Sequence, residues 1–169
     1  HATFPITALQ TEYSMWTRNP EIALLKTCRE LGIAFVAFSP LGRGYFSQSP
    51  LAIEQLPEKD IRRGMPRFQL EHFEKNTAFY HALKAIAISN NCSLAQLAIA
   101  WVLHQGQDIL AIPGTANLAH LRENVAADAI QLSRETLADI AKILDTMPVS
   151  GNRYNPVSQS EVDTEQFPA

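Results

Sequence analysis

Three observations predict an α/β fold built on parallel strands. Three short apolar runs, Ile6–Tyr13, Ile33–Phe38 and Ile109–Ile112, are separated by longer segments whose apolar residues recur at helical spacing. The second and third runs are apolar nearly throughout, as in strands covered on both faces. Each of those two runs stops at a glycine-containing turn, Ser39-Pro40-Leu41-Gly42-Arg43-Gly44 and Pro113-Gly114-Thr115. The resulting order, β-α-β-α-α-β-α-α, fits either part of a (β/α) barrel or a small doubly wound sheet. No repeated period marks a solenoid.

Taken in order, Ile6–Tyr13 alternates loosely and ends in polar Gln10, Thr11 and Glu12. Asn19-Pro20-Glu21 predicts a helix start, with Asn19 as N-cap and Pro20 in the first helical position. Leu24, Leu25, Cys28 and Leu31 continue that helix, and Gly32 closes it. Ile33–Phe38 is the second strand. From Gln48 to Phe73 periodicity is lost; three prolines and the basic residues Arg62, Arg63 and Arg67 mark either a lid or a solvated excursion. Asn76–Asn90 reads as a helix. Ser93 and Gln96 form a capping box for the next one, whose apolar face is Leu94, Leu97, Ala98, Trp101 and Val102. After Ile109–Ile112, Leu118, Leu121 and Val125 give a helix, and Ser133 caps a last one with Leu137, Ile140 and Leu144 inward. Ser150–Ala169 is polar and aperiodic, expected to wrap loosely or to be disordered.

The chain has 169 residues, 46% hydrophobic and 18% charged, enough for one globular domain with a core. A net charge of −3 argues against a nucleic-acid surface or a polybasic membrane anchor. The longest apolar run, Leu97–Leu103, is far too short to span a bilayer. No signal peptide is legible, so the cytoplasm is the expected compartment. Cys28 and Cys92 are expected as separate thiols. The chain lacks an initiator Met and runs directly into a strand, as a piece of something longer does.

The chemistry lies at the strand ends. A strand, a glycine turn and a helix aim helix N–H groups at the sheet's carboxyl edge, where anions such as phosphate bind. An ordinary βα turn accounts for Pro113–Thr115 equally on spacing alone. Right-handed crossovers put Gln10, Ser39–Arg43 and Gly114–Asn124 on one rim, which suits a long phosphate-bearing ligand. Neither G-x-G-x-x-G nor a Walker motif is present. The five histidines show no metal spacing, and Ser39 lacks a nucleophile setting. Phe38 either belongs to the core or stacks on a flat ring, and Trp16 either lines a pocket or anchors a loop.

LQTEYSMWTRNPE, LLKTCRELGIAFVAFSPLGRG, DIRRGMPRFQLEHFEKN, SLAQLAIAWVLHQG and IPGTANLAHLREN follow one another between Thr7 and about Tyr154. In order and spacing they resemble consecutive blocks of the aldo-keto reductases. The resemblance implies the last three strands, sixth to eighth, of a (β/α)₈ TIM barrel that reduces carbonyl compounds with NADPH. Residues 1–150 then form the C-terminal part of that domain and 151–169 a tail. It implies that Gln10 binds the nicotinamide carboxamide and that Phe38 stacks on the ring. Ser39, Pro40, Leu41, Gly42 and Arg43 would surround the pyrophosphate, with Arg62 as a lid contact. Gly114, Thr115, His120, Glu123 and Asn124 would hold the adenosine 2′-phosphate and adenine. The family's catalytic tyrosine, lysine, aspartate and histidine have no counterpart here, so no catalytic residue is assigned, and Tyr13, Tyr45, Tyr80 and Tyr154 do not replace them. Ala116 and His120 stand where the family often carries more basic residues, so NAD(H) is an expected alternative to NADP(H).

As partners, the resemblance implies a dinucleotide, a small carbonyl substrate in the full-length protein, and either a missing N-terminal half or a second copy. The alternative is a non-catalytic nucleotide sensor resembling potassium-channel β subunits, or a truncated product. Three strands with helices on one side are expected to leave open edges and an uncovered face, at Phe35, Ala37 or their neighbours.

Overall fold

In the computed structural model, residues 1–47, 52–163 and 165–167 are described. At the centre is a parallel sheet in the order β1 (Ala8–Glu12), β2 (Ala34–Phe38), β3 (Ile109–Ile112). The predicted strands and their order hold, with β1 and β2 shorter than their apolar runs. Register sets Gln10, Val36 and Leu110 side by side, and Glu12, Phe38 and Ile112 beyond them. Because side chains alternate, these six share one face, and Leu9, Phe35, Ala37 and Ile109 share the other.

Helices cover only the second face. Phe35 and Ala37 are fully buried there, with the Phe35 ring 5.8 Å from Tyr13 and Tyr13 5.3 Å from Trp101. The uncovered face is therefore marked by the neighbours Val36 and Phe38, not by Phe35 and Ala37, which corrects the sequence expectation. β2 is apolar on both sides, so hydrophobicity alone does not distinguish its faces. On β3 the same open face leaves Leu110 56% and Ile112 45% exposed.

Helix α1 (Leu24–Leu31) ends at Gly32 in the left-handed region, φ 66°. Its start differs from the prediction. Asn19–Glu21 is a separate 3-10 turn, and Ala23 takes the N-cap position. The Asn19 side chain instead donates to the Glu165 carbonyl at 2.7 Å, and the Glu165 carboxylate accepts from the Ala23 amide at 2.9 Å. No local pattern reveals a partner so remote in sequence.

Helix α2 (Leu70–Ser89) begins six residues before the predicted Asn76. Its fully buried face, Asn76, Phe79, Tyr80, Leu83 and Ala87, starts in the second turn; the first turn exposes Leu70 and sets only Phe73 against the core, 5.8 Å from the Tyr45 ring. The Ser93–Gln96 capping box forms at 3.1 Å in both directions and opens α3 (Leu94–Leu103), which is buried from Leu94 to Val102 apart from Gln96. Asn117 caps α4 (Leu118–Ala126), and Ser133 caps α5 (Arg134–Thr146) through the Thr136 amide at 3.0 Å. Leu118, Leu121 and Val125 form a stripe on α4 that stays exposed.

The aperiodic Gln48–Phe73 segment lies partly outside the described residues, at 48–51. The remainder folds into 3-10 turns at Ile53–Gln55, Ile61–Gly64 and Pro66–Phe68 before α2. Trp16 belongs to the core rather than to a pocket, stacked 4.2 Å from the Tyr45 ring. Cys28 is buried, Cys92 is half-buried, and both are free. The polar tail forms a short helix, α6 (Pro156–Ser160), and its first residues are pinned to the body, as described below. Among the described residues no single helix is long and apolar enough to cross a membrane.

Candidate functional site

At the carboxyl edge of β2 and β3 the two predicted turns wall a cleft of about 1220 Å³. Phe38, Ser39, Pro40, Leu41 and Arg43 form one side, and Pro113, Gly114, Thr115, His120, Glu123 and Asn124 the other. Asp60, Ile61 and Arg62 close over it from the aperiodic segment, and Ala95 of α3 lines it from behind. This volume exceeds the roughly 300–1,000 Å³ usual for one drug-sized ligand and suits an extended molecule.

The first turn is tightly wound. Ser39 and Arg43 have positive φ, 51° and 56°, as do Gly42 and Gly44. Successive bonds from Gly42 N to Ser39 O (2.9 Å) and from Phe46 N to Leu41 O (3.1 Å) hold the coil closed. Gly42 is required by contact as well as by conformation, since a Cβ there would lie 2.8 Å from Trp16 Nε1. It therefore packs into the core, behind the cleft.

The second turn presents fewer free N–H groups than the sequence implied. Asn117 Oδ1 accepts from Ala119 N at 2.8 Å and from His120 N at 3.4 Å, and Thr115 Oγ1 accepts from Asn117 N at 3.1 Å. The helix start is thus already capped by its own residues. Deeper along the wall, Asn124 is only 6% exposed and its Nδ2 finds no protein acceptor. A buried donor left unpaired costs about 1–3 kcal/mol, a cost that an acceptor atom on a bound ligand would remove.

Charge in the cleft is largely internally balanced. Arg62 is gripped by Asp60 through Nε and Nη2 at 2.9 and 2.7 Å, and its Nη1 donates to the Arg43 carbonyl at 3.2 Å. The hydrogen bonds from Arg62 hold the Asp60 carboxyl down to a pKa of about 2. Arg43 donates through Nη2 to Glu12 Oε2 at 2.9 Å and to the Tyr154 hydroxyl at 2.7 Å. Neither guanidinium is left as a bare cation for an incoming phosphate.

Glu12 is the hub of a charge cluster next to Phe38. Its carboxylate, 2% exposed, also accepts from Thr17 Oγ1 at 3.0 Å and from Arg153 Nε at 2.9 Å. Arg67 joins through Thr17 Oγ1 at 2.8 Å and the Gly151 carbonyl at 3.2 Å; burial lowers its pKa to about 10. Arg153 also lies over the rings of Phe38 and Tyr154, at 5.7 and 4.8 Å.

The aldo/keto reductase family's sequence profile matches residues 1–145. The chain belongs to the aldo/keto reductase family. A probable aldo-keto reductase from Glycine max is 42% identical over 154 residues, covering 91% of this chain and 44% of the relative. The chain thus spans about half the length of the curated relative it matches. Among solved structures, a thermostable aldo-keto reductase in complex with epalrestat aligns with TM-score 0.58 and 28% identity, over 82% of this chain and 40% of that one. An aldo/keto reductase from Klebsiella pneumoniae in complex with NADP and acetate gives 0.56 and 25%, over 88% and 43%. For fold alone, a glycerol dehydrogenase from Gluconobacter oxydans reaches TM-score 0.75 at 23% identity, over 92% and 46%.

Of the aldo/keto reductase residues expected in the site, all but two line the cleft. Gly42 lies behind it, and Gln10 sits exposed on the open sheet face beside Val36. Sequence reasoning missed Asp60, although its spacing to Arg62 fits a capped turn, and Asn117, whose N-cap residue type precedes α4 directly. It also passed over Glu12 as a rim residue; an acid buried at a strand end demands a buried cation. No tyrosine lines the cleft among the described residues. Tyr13 donates to Glu21 at 2.8 Å, Tyr45 to the Asn76 carbonyl at 2.7 Å and Tyr80 to the Ser47 carbonyl at 3.1 Å. Burial raises the Tyr13 and Tyr45 pKa values well above the usual tyrosine range, with Glu21 adding to the effect at Tyr13 and Tyr80 at Tyr45.

Proposed function

We propose that this chain is the cofactor-binding, C-terminal part of an aldo/keto reductase barrel that uses NADP(H), and also NAD(H), to reduce aldehydes or ketones to alcohols. The observation that carries the reading is the cleft itself, where the wound Ser39–Gly44 turn and the Gly114–Asn124 wall face each other. Asn124 Nδ2 supports the fit, because a buried, unpartnered donor on that wall awaits a ring nitrogen or ribose oxygen. In this reading Phe38 offers its ring to the nicotinamide, Ser39–Arg43 wrap the pyrophosphate under Arg62, and His120, Glu123 and Asn124 hold the adenosine end. Bound there, the reduced nicotinamide supplies hydride to a carbonyl carbon. The alkoxide that results needs a proton donor with a lowered pKa beside it. Among the described residues no such group lines the cleft, and we assign that role to other segments of the barrel.

The test is titration of the chain with NADPH, following the emission of the reduced nicotinamide. The expected result is saturable binding, weak because the open sheet face leaves the nicotinamide end exposed. Absence of saturable binding by NADPH and NADH alike sinks the proposal.

A further inference from the structure

Among the charged side chains, one is buried out of proportion to any structural need of its own strand. Glu12 ends β1 on the uncovered face, paired in register with Phe38, yet it is 2% exposed. Its neighbours on that face at the same level are Phe38 and Ile112, both apolar. What covers it comes from elsewhere in the chain: Arg43 from the first cleft turn and Arg153 from the C-terminal segment, each 2.9 Å from Oε2. Thr17 takes Oε1 and relays to Arg67. Three guanidiniums therefore crowd one carboxylate. Without it, three half-buried cations would face one another with only neutral acceptors between them.

Of the two arginines that Glu12 holds, Arg43 lines the cleft and Arg153 lies over Phe38, which lines it. Arg43 sits within the left-handed coil, and its carbonyl receives Arg62 from the lid at 3.2 Å. Its guanidinium, fixed on Glu12 and Tyr154, sets the far side of the turn that begins at Ser39. Arg153 lies over the Phe38 ring at 5.7 Å, so one face of that ring is already taken. A flat ligand ring has the other face, at an orientation that Arg153 fixes.

We propose that Glu12 is a positioning residue for the nicotinamide end of the cleft, acting through Arg43 and Arg153. The inference rests on the dinucleotide reading above and adds to it a residue outside the lining. The Gly114–Asn124 wall comes from the turn after β3 and from α4, and among the described residues it has no hydrogen bond to this cluster. Loss of the Glu12 charge is thus expected to act on one half of a ligand and not on the other.

The experiment compares wild type, Glu12→Gln and Arg153→Gln in two titrations of the full 169-residue chain. One uses NADPH, read by its emission; the other uses adenosine 2′,5′-bisphosphate, which lacks the nicotinamide half, read by calorimetry. In Glu12→Gln, NADPH binding is expected to weaken about tenfold, the equivalent of one charge-assisted contact. The emission of bound NADPH is expected to move toward that of the free cofactor, with bisphosphate binding unchanged. Arg153→Gln removes one of the two guanidiniums on Glu12 and should show the same split to a smaller degree. If Glu12→Gln fails to fold, the Arg153→Gln titrations decide. Equal weakening of both ligands means a merely structural role and overturns the proposal, as does unchanged NADPH binding. A wild type that binds neither ligand overturns the dinucleotide reading, and this inference falls with it.

Discussion

In the proposed dinucleotide reading, cofactor choice turns on His120. It is exposed on the cleft wall and stands near Ala116, so the adenosine end carries no permanent cation, and Glu123 lines the same wall. His120→Arg would add one charge-assisted bond to a 2′-phosphate, worth about 1.5–3 kcal/mol, or roughly ten- to a hundredfold in affinity. The expected outcome is a wild type that discriminates weakly between NADPH and NADH, and a variant that prefers NADPH. A wild-type preference beyond about a thousandfold, some 4 kcal/mol, would show that another cation holds the phosphate. Gly42 gives a second residue-scale prediction. Gly42→Ala sets a methyl 2.8 Å from Trp16 Nε1 in a backbone with φ 56°. Strain of that kind costs about 1–3 kcal/mol, to be read from the urea midpoint. Their places in the two turns were legible in the sequence, but the packing of Gly42 on Trp16 behind the cleft was not. Glu12 and Asn19 were not, since both are explained by partners far along the chain, Arg153 and Glu165.

The lid is an element held by one ion pair. Its turn, Ile61–Gly64, is capped by Asp60, which accepts from the Arg62 amide at 2.9 Å and pairs with the same residue's guanidinium. Asp60 has its pKa depressed from 3.8 to about 2, the Arg62 hydrogen bonds being the main cause. A depressed carboxyl contributes stability that is full above its unfolded value and is lost as protonation proceeds. The turn is therefore expected to stay closed above about pH 4 and to loosen toward pH 2. Hydrogen exchange of the Arg62 amide, compared with Asp60→Asn at neutral pH, checks this; equal protection in the variant would remove Asp60 as the cause. At this scale helix existence was readable but helix starts were less so. Capping boxes such as Ser93–Gln96 gave their positions directly, whereas α2 starts without a side-chain cap, and Phe73 alone of its first turn packs against the core as an apolar residue.

The whole molecule presents a sheet with helices on one side. Leu110 and Ile112 face outward on β3, the Leu118–Leu121–Val125 stripe runs along α4, and β1 and β3 both present free edges. Exposed apolar faces beside unpaired strand edges drive association. Sedimentation of the purified chain is expected to show oligomers or aggregates; a monomer with one sharp melting transition argues against the partial-barrel reading. Mixed with NADPH and a nitrobenzaldehyde, the chain alone is expected to consume no cofactor. Turnover lost on changing Tyr13, Tyr45 or Tyr154 would place a proton donor within these residues after all. The three parallel strands were legible because hydrophobic runs and turn chemistry are local properties. Which face of the sheet lies bare was not, because β2 reads the same on both sides.

The seam at Glu12 also sets an order of events during synthesis. Arg43 follows Glu12 by 31 residues, but Arg153 follows it by 141, and the Asn19–Glu165 bond spans 146. A ribosome that delivers the N-terminus first exposes the carboxylate long before its last guanidinium exists. Until then the end of β1 has only part of its counter-charge and stays solvated, and contacts of such long separation close late. Nascent chains stalled before Arg153 emerges should remain open to protease around Thr17 and Arg18, and become resistant once Arg153 and Glu165 have emerged.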